Sequence, residues 1–139
     1  MSAMRIGGTH RYSDIVIHNR NVYLSGVVPS KDDTVYEQTK EVLQKINKLL
    51  ECVGSSNEHI LNMTIYLTDE TYYDEMNRAF DEWIPNGCAP ARATIGNVRF
   101  PNPIWKVEIT VIACVPTTNE AVTFKKKDDF LNGGVNFII

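Results

Sequence analysis

The sequence predicts an α+β domain, a mixed β-sheet covered on one face by two helices. Three observations lead there. Two stretches, around Tyr36 to Val53 and Tyr73 to Trp83, carry apolar residues at three- and four-residue steps, the spacing of amphipathic helices. Short runs of β-branched and aromatic residues lie before, between and after them. The last run alternates on a two-residue period, as side chains on a strand do. A chain of 139 residues, 43% hydrophobic and 22% charged, holds one domain's core and lacks the composition of a disordered or coiled-coil protein.

The elements follow in order. Val16-Ile17 and Val22-Tyr23-Leu24 flank His18-Asn19-Arg20-Asn21, where two asparagines in a polar run suit a hairpin turn. Pro29, after Ser25-Gly26-Val27-Val28, should end the second strand because it has no N–H to donate. Thr34-x-x-Glu37, preceded by Asp32 and Asp33, is a capping-box pattern with favourable charge at the helix start. Tyr36, Val42, Leu43, Ile46, Leu49, Leu50 and Val53 form the apolar stripe, and Gly54 supplies the left-handed stop. A strand is expected over Leu61 to Leu67. A second helix is expected from Thr71 to Ile84, capped through Thr71-x-x-Asp74 and ended by Pro85-Asn86-Gly87. Strands through Arg92 to Ile95 and from Trp105 to Val115 complete the order β-β-α-β-α-β-β.

In the last strand Trp105, Val107, Ile109, Val111 and Ala113 alternate with Lys106, Glu108, Thr110, Ile112 and Cys114. The first set is the more apolar, and the second becomes apolar towards its end. Such a strand suits a sheet packed on helices on one side and on a partner on the other. Residues 1–115 therefore read as the domain. Residues 116–139 read as a C-terminal extension, with the charge run Lys125 to Asp129 and an apolar end at Phe137-Ile138-Ile139.

Composition excludes several function classes. Lys plus Arg total 14 against 17 Asp plus Glu, a net charge of −3, which argues against a nucleic-acid polycation. No apolar run reaches the ~18–20 residues of a membrane helix, and the start lacks the apolar segment of a secretory signal. Cys52, Cys88 and Cys114 form no CxxC or Cys/His zinc spacing. An odd cysteine count without a secretion signal leads to an expectation of reduced thiols and a cytoplasmic location. His10, His18 and His59 show no ligand spacing, so no metal is expected. Phe80 and Trp83 sit at core-facing helix spacing, and no aromatic–basic pattern of an RNA-binding sheet is present.

Two charged residues stand in apolar strand contexts. Arg92 lies between Ala89-Pro90-Ala91 and Ala93-Thr94-Ile95, where its planar fork suits a carboxylate held at two points. The bland alternative is a salt bridge to a helix carboxylate or a solvated strand residue. Glu108, inside Lys106-Val107-Glu108-Ile109, is isolated among β-formers. Its bland alternative is an ion pair with Lys106 or Lys40.

Arg11-Tyr12-Ser13, Ser25-Gly26-x-x-Pro29, Gln38-Thr39, Met76-Asn77, Ala89-Pro90-Ala91-Arg92 and Lys106-Val107-Glu108-Ile109 occur in the order seen in the reactive intermediate deaminase (RidA/YjgF/Rid) family. The chain resembles that family from about Tyr12 to Val115. In detail it looks closer to a less characterised subgroup than to the archetype. The resemblance implies a chorismate-mutase-like sandwich and a homotrimer whose sheets form a central barrel, with small-molecule sites at subunit interfaces. It implies cofactor-free hydrolysis of 2-imino or 2-enamino acids to 2-keto acids and ammonia. By the same resemblance Arg92 matches the carboxylate-binding arginine, Glu108 the water-handling glutamate and Tyr12 the pocket tyrosine. Ser25, Gly26 and Asn77 match further pocket residues. Thr94 stands where the archetype has a cysteine, Val27 where it has a glutamine, and Arg11 where a proline is usual. These departures bear on the substrate side chain that the pocket prefers. The rival readings are a non-catalytic trimer that binds small carboxylates for regulation and, third, an endoribonuclease.

Overall fold

The computed structural model describes residues 2–117. They form β1 (Met4–Ile6), β2 (Ile15–His18), β3 (Asn21–Val27), α1 (Val35–Cys52), β4 (Ile60–Leu67), α2 (Tyr73–Trp83), β5 (Ala91–Ile95) and β6 (Val107–Cys114). One six-stranded sheet runs in the order β1-β2-β3-β6-β4-β5. Every ladder is antiparallel except β4–β5. A parallel pair cannot be joined by a tight turn, and α2 supplies the crossover. Strands β3 and β4 flank β6 on either side, so α1 performs the same service for them.

Local chemistry explains most boundaries. Asn19 and Arg20 have φ of 50° and 68°, the left-handed pair that a two-residue hairpin turn requires. Thr34 caps α1, its Oγ1 accepting from Glu37 N at 3.2 Å. The reciprocal half of the box is absent because Thr34 N donates to Asp33 Oδ1 at 2.8 Å. Gly54, at φ 79°, turns the chain out of the helix.

Three features differ from expectation. Strand β1 was not predicted, since its three residues carry too little pattern to be recognised before their pairing with β2. Thr71 does not cap α2. Glu70–Tyr72 form a 3₁₀ turn whose start is capped by Asp69, which accepts from both Thr71 N and Thr71 Oγ1. Tyr36 lies off the buried stripe, its ring beneath the Arg78 guanidinium at 3.6 Å and its hydroxyl donating to Glu82. The buried side of that turn is filled by Val35, Gln38 and Thr39.

Both helices cover one face of the sheet, burying Ile15, Val22, Met63, Ile65, Ile109 and Val111. The registers place Val16, Tyr23, Ile112, Thr64 and Ile95 on the opposite face, which no helix among the described residues covers. There Tyr23 is 39% and Ile95 44% exposed. At the end of β6, Val115 N donates to Arg20 O at 2.9 Å, and the Arg20 guanidinium donates to the carbonyl of Pro116. Residues 118–139, most of the expected extension, lie outside the described residues. Among the described residues, no helix is long and apolar enough to cross a membrane.

Candidate functional site

The residues singled out by the sequence fall into two groups, one on each face of the sheet. The first is built around a bulge. Leu24 pairs with Val111 and Val27 with Ile109, so Ser25 and Gly26 together oppose Thr110. An extra residue in one strand bends it and re-aims its neighbours. The Ser25 hydroxyl donates to Ser13 O at 2.5 Å, and Ser25 N donates to Asp14 O at 3.1 Å. These bonds tie the β1–β2 loop to β3 and set Tyr12 beside the bulge. The loop itself is shaped by Gly8, at φ 87°, where a β-carbon would stand 2.0 Å from Tyr12 O. Thr9 N closes the turn onto that same carbonyl at 2.9 Å. Tyr12 remains 52% exposed.

Glu108 packs over this bulge. A β-carbon on Gly26 would lie 2.0 Å from Glu108 Oε2, so only glycine leaves room for the carboxylate there. Partial burial pushes the Glu108 carboxyl above its ordinary value, because desolvation penalises the charged form. The ion pairs with Lys106 and Lys40 do not form. Lys106 Nζ is taken by Asp32 Oδ1 at 2.8 Å, and Lys40 lies near Glu37 and over Tyr36. Among the described residues Glu108 has no hydrogen-bond or ion-pair partner.

The second group lies at the β5 edge. Arg92 pairs in register with Met63 and Thr94 with Ile65, both fully buried, so Arg92 and Thr94 point to the helix-covered face. The Arg92 guanidinium sits 4.8 Å from the Phe80 ring centre, a cation–π arrangement. It makes no salt bridge to a helix carboxylate among the described residues. Asn77 is half-buried on α2 one turn before Phe80. Thr94 Oγ1 is buried without a hydrogen-bond partner among the described residues, and a buried hydroxyl left so carries a desolvation penalty. Phe80, expected only as core, is also the platform for Arg92. Its helical spacing from Asn77 was visible in the sequence, whereas its contact with Arg92 on a later strand was not.

Glu108 belongs to the other face, in register with Tyr66 of β4, which in turn pairs with Ile95. Two strand spacings and three residues of rise put the Arg92 and Glu108 α-carbons roughly 14 Å apart. One chain therefore does not bring the predicted anchor and the predicted base together. Among the described residues no cluster of His, Cys, Asp or Glu could hold a metal ion.

Comparison with known proteins gives a consistent picture. The family model described as "Endoribonuclease L-PSP" matches residues 3–115. The chain is 41% identical over 115 residues to the RutC family protein YoaB of Escherichia coli, covering 83% of this chain and 100% of that protein. A RutC family protein of Haemophilus influenzae is 43% identical over 115 residues, covering 81% and 98%. Among solved structures, a member of the YjgF protein family from Neisseria meningitidis superposes with a TM-score of 0.81 at 40% identity, covering 85% of this chain and 98% of that one. The α+β sandwich of six strands and two helices is thus that of YjgF structures, and the chain belongs to the YjgF/RutC/Rid family, within its less characterised RutC-like subgroup.

Proposed function

We propose that the protein is a cofactor-free hydrolase that converts reactive 2-imino or 2-enamino acids to 2-keto acids and ammonia. The observation that carries this reading is Glu108. A partly desolvated carboxylate without a partner among the described residues, packed on a glycine beside a serine and a tyrosine, is suited to taking a proton from water. General-base help of that kind is worth ~10²–10⁴-fold.

The substrate carbon is already electrophilic. Glu108 removes a proton from water as its oxygen adds to C2, and the electron pair of the C=N bond moves to nitrogen. Protonation of that nitrogen, collapse to the carbonyl and cleavage of C–N then release ammonia, and the proton on Glu108 is returned. An enamine first takes a proton at carbon to become the imine. The Ser25 hydroxyl hydrogen is committed to Ser13 O, so its lone pairs are free to accept from the imine N–H. Arg92 holds the substrate carboxylate at two points, with Asn77 and Thr94 beside it.

Because the two groups lie on opposite faces of one sheet, the working site joins Glu108, Gly26, Ser25 and Tyr12 of one copy to Arg92, Thr94 and Asn77 of the next. The uncovered face with Val16, Tyr23, Ile112 and Ile95 favours such association, and a closed ring of three copies fits the family resemblance. The test is keto-acid release from imines generated in situ from several amino acids. Acceleration over the buffer rate supports the reading. Carboxylate binding with no acceleration for any imine would replace it with the regulatory binding trimer. An RNA-cleaving activity finds less support, since neither group supplies a His or Lys acid–base pair.

A further inference from the structure

We infer that Gln38 is a positioning residue for Glu108, its amide clamping the loop that leaves β3 to the loop that enters β6. This rests on the reading of Glu108 as the group that handles water.

Gln38 is 1% exposed on the sheet-facing side of α1, an expensive place for an amide unless its bonds are made. They are made, and entirely to backbone of other segments. Nε2 donates to Lys31 O at 3.0 Å and to Ile104 O at 2.8 Å, and Oε1 accepts from Lys106 N at 2.9 Å. Lys31 belongs to the connection that follows Gly26, and Lys106 stands two residues before Glu108. A second strap joins the same two segments, Lys106 Nζ donating to Asp32 Oδ1 at 2.8 Å and to Asp33 O at 2.7 Å. From further along α1, Lys45 Nζ donates to Val28 O at 2.7 Å.

The clamp matters because no side chain among the described residues bonds to Glu108. With no bonding partner among the described residues, the carboxylate is placed by the backbone of β6 and its packing on Gly26 of β3. Its clearance over Gly26 admits no β-carbon, so a shift of a few tenths of an ångström between β3 and β6 changes the contact. Gly26 of β3 lies beneath it and Tyr66 of β4 stands in register with it, and the nearest lysine in sequence, Lys106, is engaged by Asp32.

The test compares Gln38→Met, which keeps volume and removes all three bonds, with Gln38→Glu, which keeps an acceptor for Lys106 N but loses both donors to the Lys31 and Ile104 carbonyls. Two readouts are used: kcat and KM for imine hydrolysis, and the carbon-13 carboxyl resonance of Glu108, identified by its absence in Glu108→Gln. Gln38→Met should lower kcat by ~10- to 10²-fold, the size expected of a misplaced catalytic group. KM should stay within about twofold, since Arg92 is untouched, and the Glu108 resonance should move. Gln38→Glu should also lower kcat and move the resonance, since its second oxygen repels the Lys31 and Ile104 carbonyls that the amide bonded. A folded Gln38→Met whose kcat and Glu108 resonance match wild type overturns the inference and leaves Gln38 a stability residue. If Gln38→Met does not fold, Gln38→Glu is judged on the same readouts, and wild-type behaviour there overturns it equally. If wild type shows no turnover, the functional reading fails, and the Glu108 resonance alone then decides the role of Gln38.

Discussion

Arg92 and Glu108 stand on opposite faces of one sheet, the first stacked on Phe80 beneath the helices and the second packed on Gly26 across the uncovered face. A reaction that uses both must draw them from different copies of the chain. Arg92→Ala and Glu108→Gln should then each be impaired about tenfold or more alone and complement one another when mixed. Denatured, mixed in equal amounts and refolded, they should recover roughly a quarter of wild-type turnover, because in a cyclic assembly each site takes each residue from a different neighbour. Recovery at the background level would place both residues in one chain's site.

Gly26→Ala should be the most damaging small substitution in the domain for turnover. Its β-carbon would fall 2.0 Å from Glu108 Oε2, so the carboxylate must leave. Overpacking of this kind costs ~1–3 kcal/mol, and the flexible side chain should absorb much of it. Melting should fall modestly while kcat drops at least tenfold or so, as loss of a general base does. Combining Gly26→Ala with Glu108→Gln should add little to either change, the mark of two residues acting through one contact.

Arg92→Ala should weaken binding of a small carboxylate by tenfold or more, since a hydrogen bond to a charged group is worth ~1.5–3 kcal/mol. Arg92→Lys keeps the charge and loses the two-point fork, so it should fall between. Phe80→Leu removes only the ring beneath the guanidinium and should weaken binding a few-fold, about 0.5–1 kcal/mol. Calorimetric titration with a 2-keto acid measures all three. Equal affinity in wild type and Arg92→Ala rejects Arg92 as the anchor.

The raised Glu108 carboxyl sets two pH effects. Its protonated form is favoured in the folded chain. That contribution is fully present below the unfolded carboxyl's value and is lost as pH rises through the higher folded value. At neutral pH the ionised group is a burden, so Glu108→Gln should melt no lower than wild type there, and its advantage should vanish in acid. Turnover needs the ionised form, so kcat should climb through that same raised value. A rate profile flat through the carboxylate range would remove Glu108 as the base.

Burial pushes the Cys52 thiol up to about 11, so it should resist alkylation in the native protein at pH 8. Cys88 should react. Cys114 lies on the uncovered face, and its reactivity reports whether that face is covered: one modified thiol per chain in the assembly, two in a dissociated monomer. Mass spectrometry after a timed alkylation counts them.

The sequence by itself determined the helices, the principal strands and the hairpin, because these rest on local signals: apolar spacing around Val42 to Leu50, the Thr34 cap, the left-handed pair at Asn19 and Arg20, and the alternation of β6. It also marked Arg92 and Glu108, since a charge between β-formers is conspicuous in one dimension. Tertiary structure decided the rest. Strand β1 needs its pairing with β2 to be recognised, and the Asp69 cap needs the 3₁₀ turn that precedes α2. The bulge at Ser25-Gly26 depends on a register with β6 that no local pattern contains. Whether Arg92 and Glu108 share a face depends on how β5 and β6 each align with β4. Only the approach of Lys31, Ile104 and Lys106 shows why the polar amide of Gln38 is buried on α1. Such facts depend on segments far apart in the chain, and sequence patterns report each segment alone.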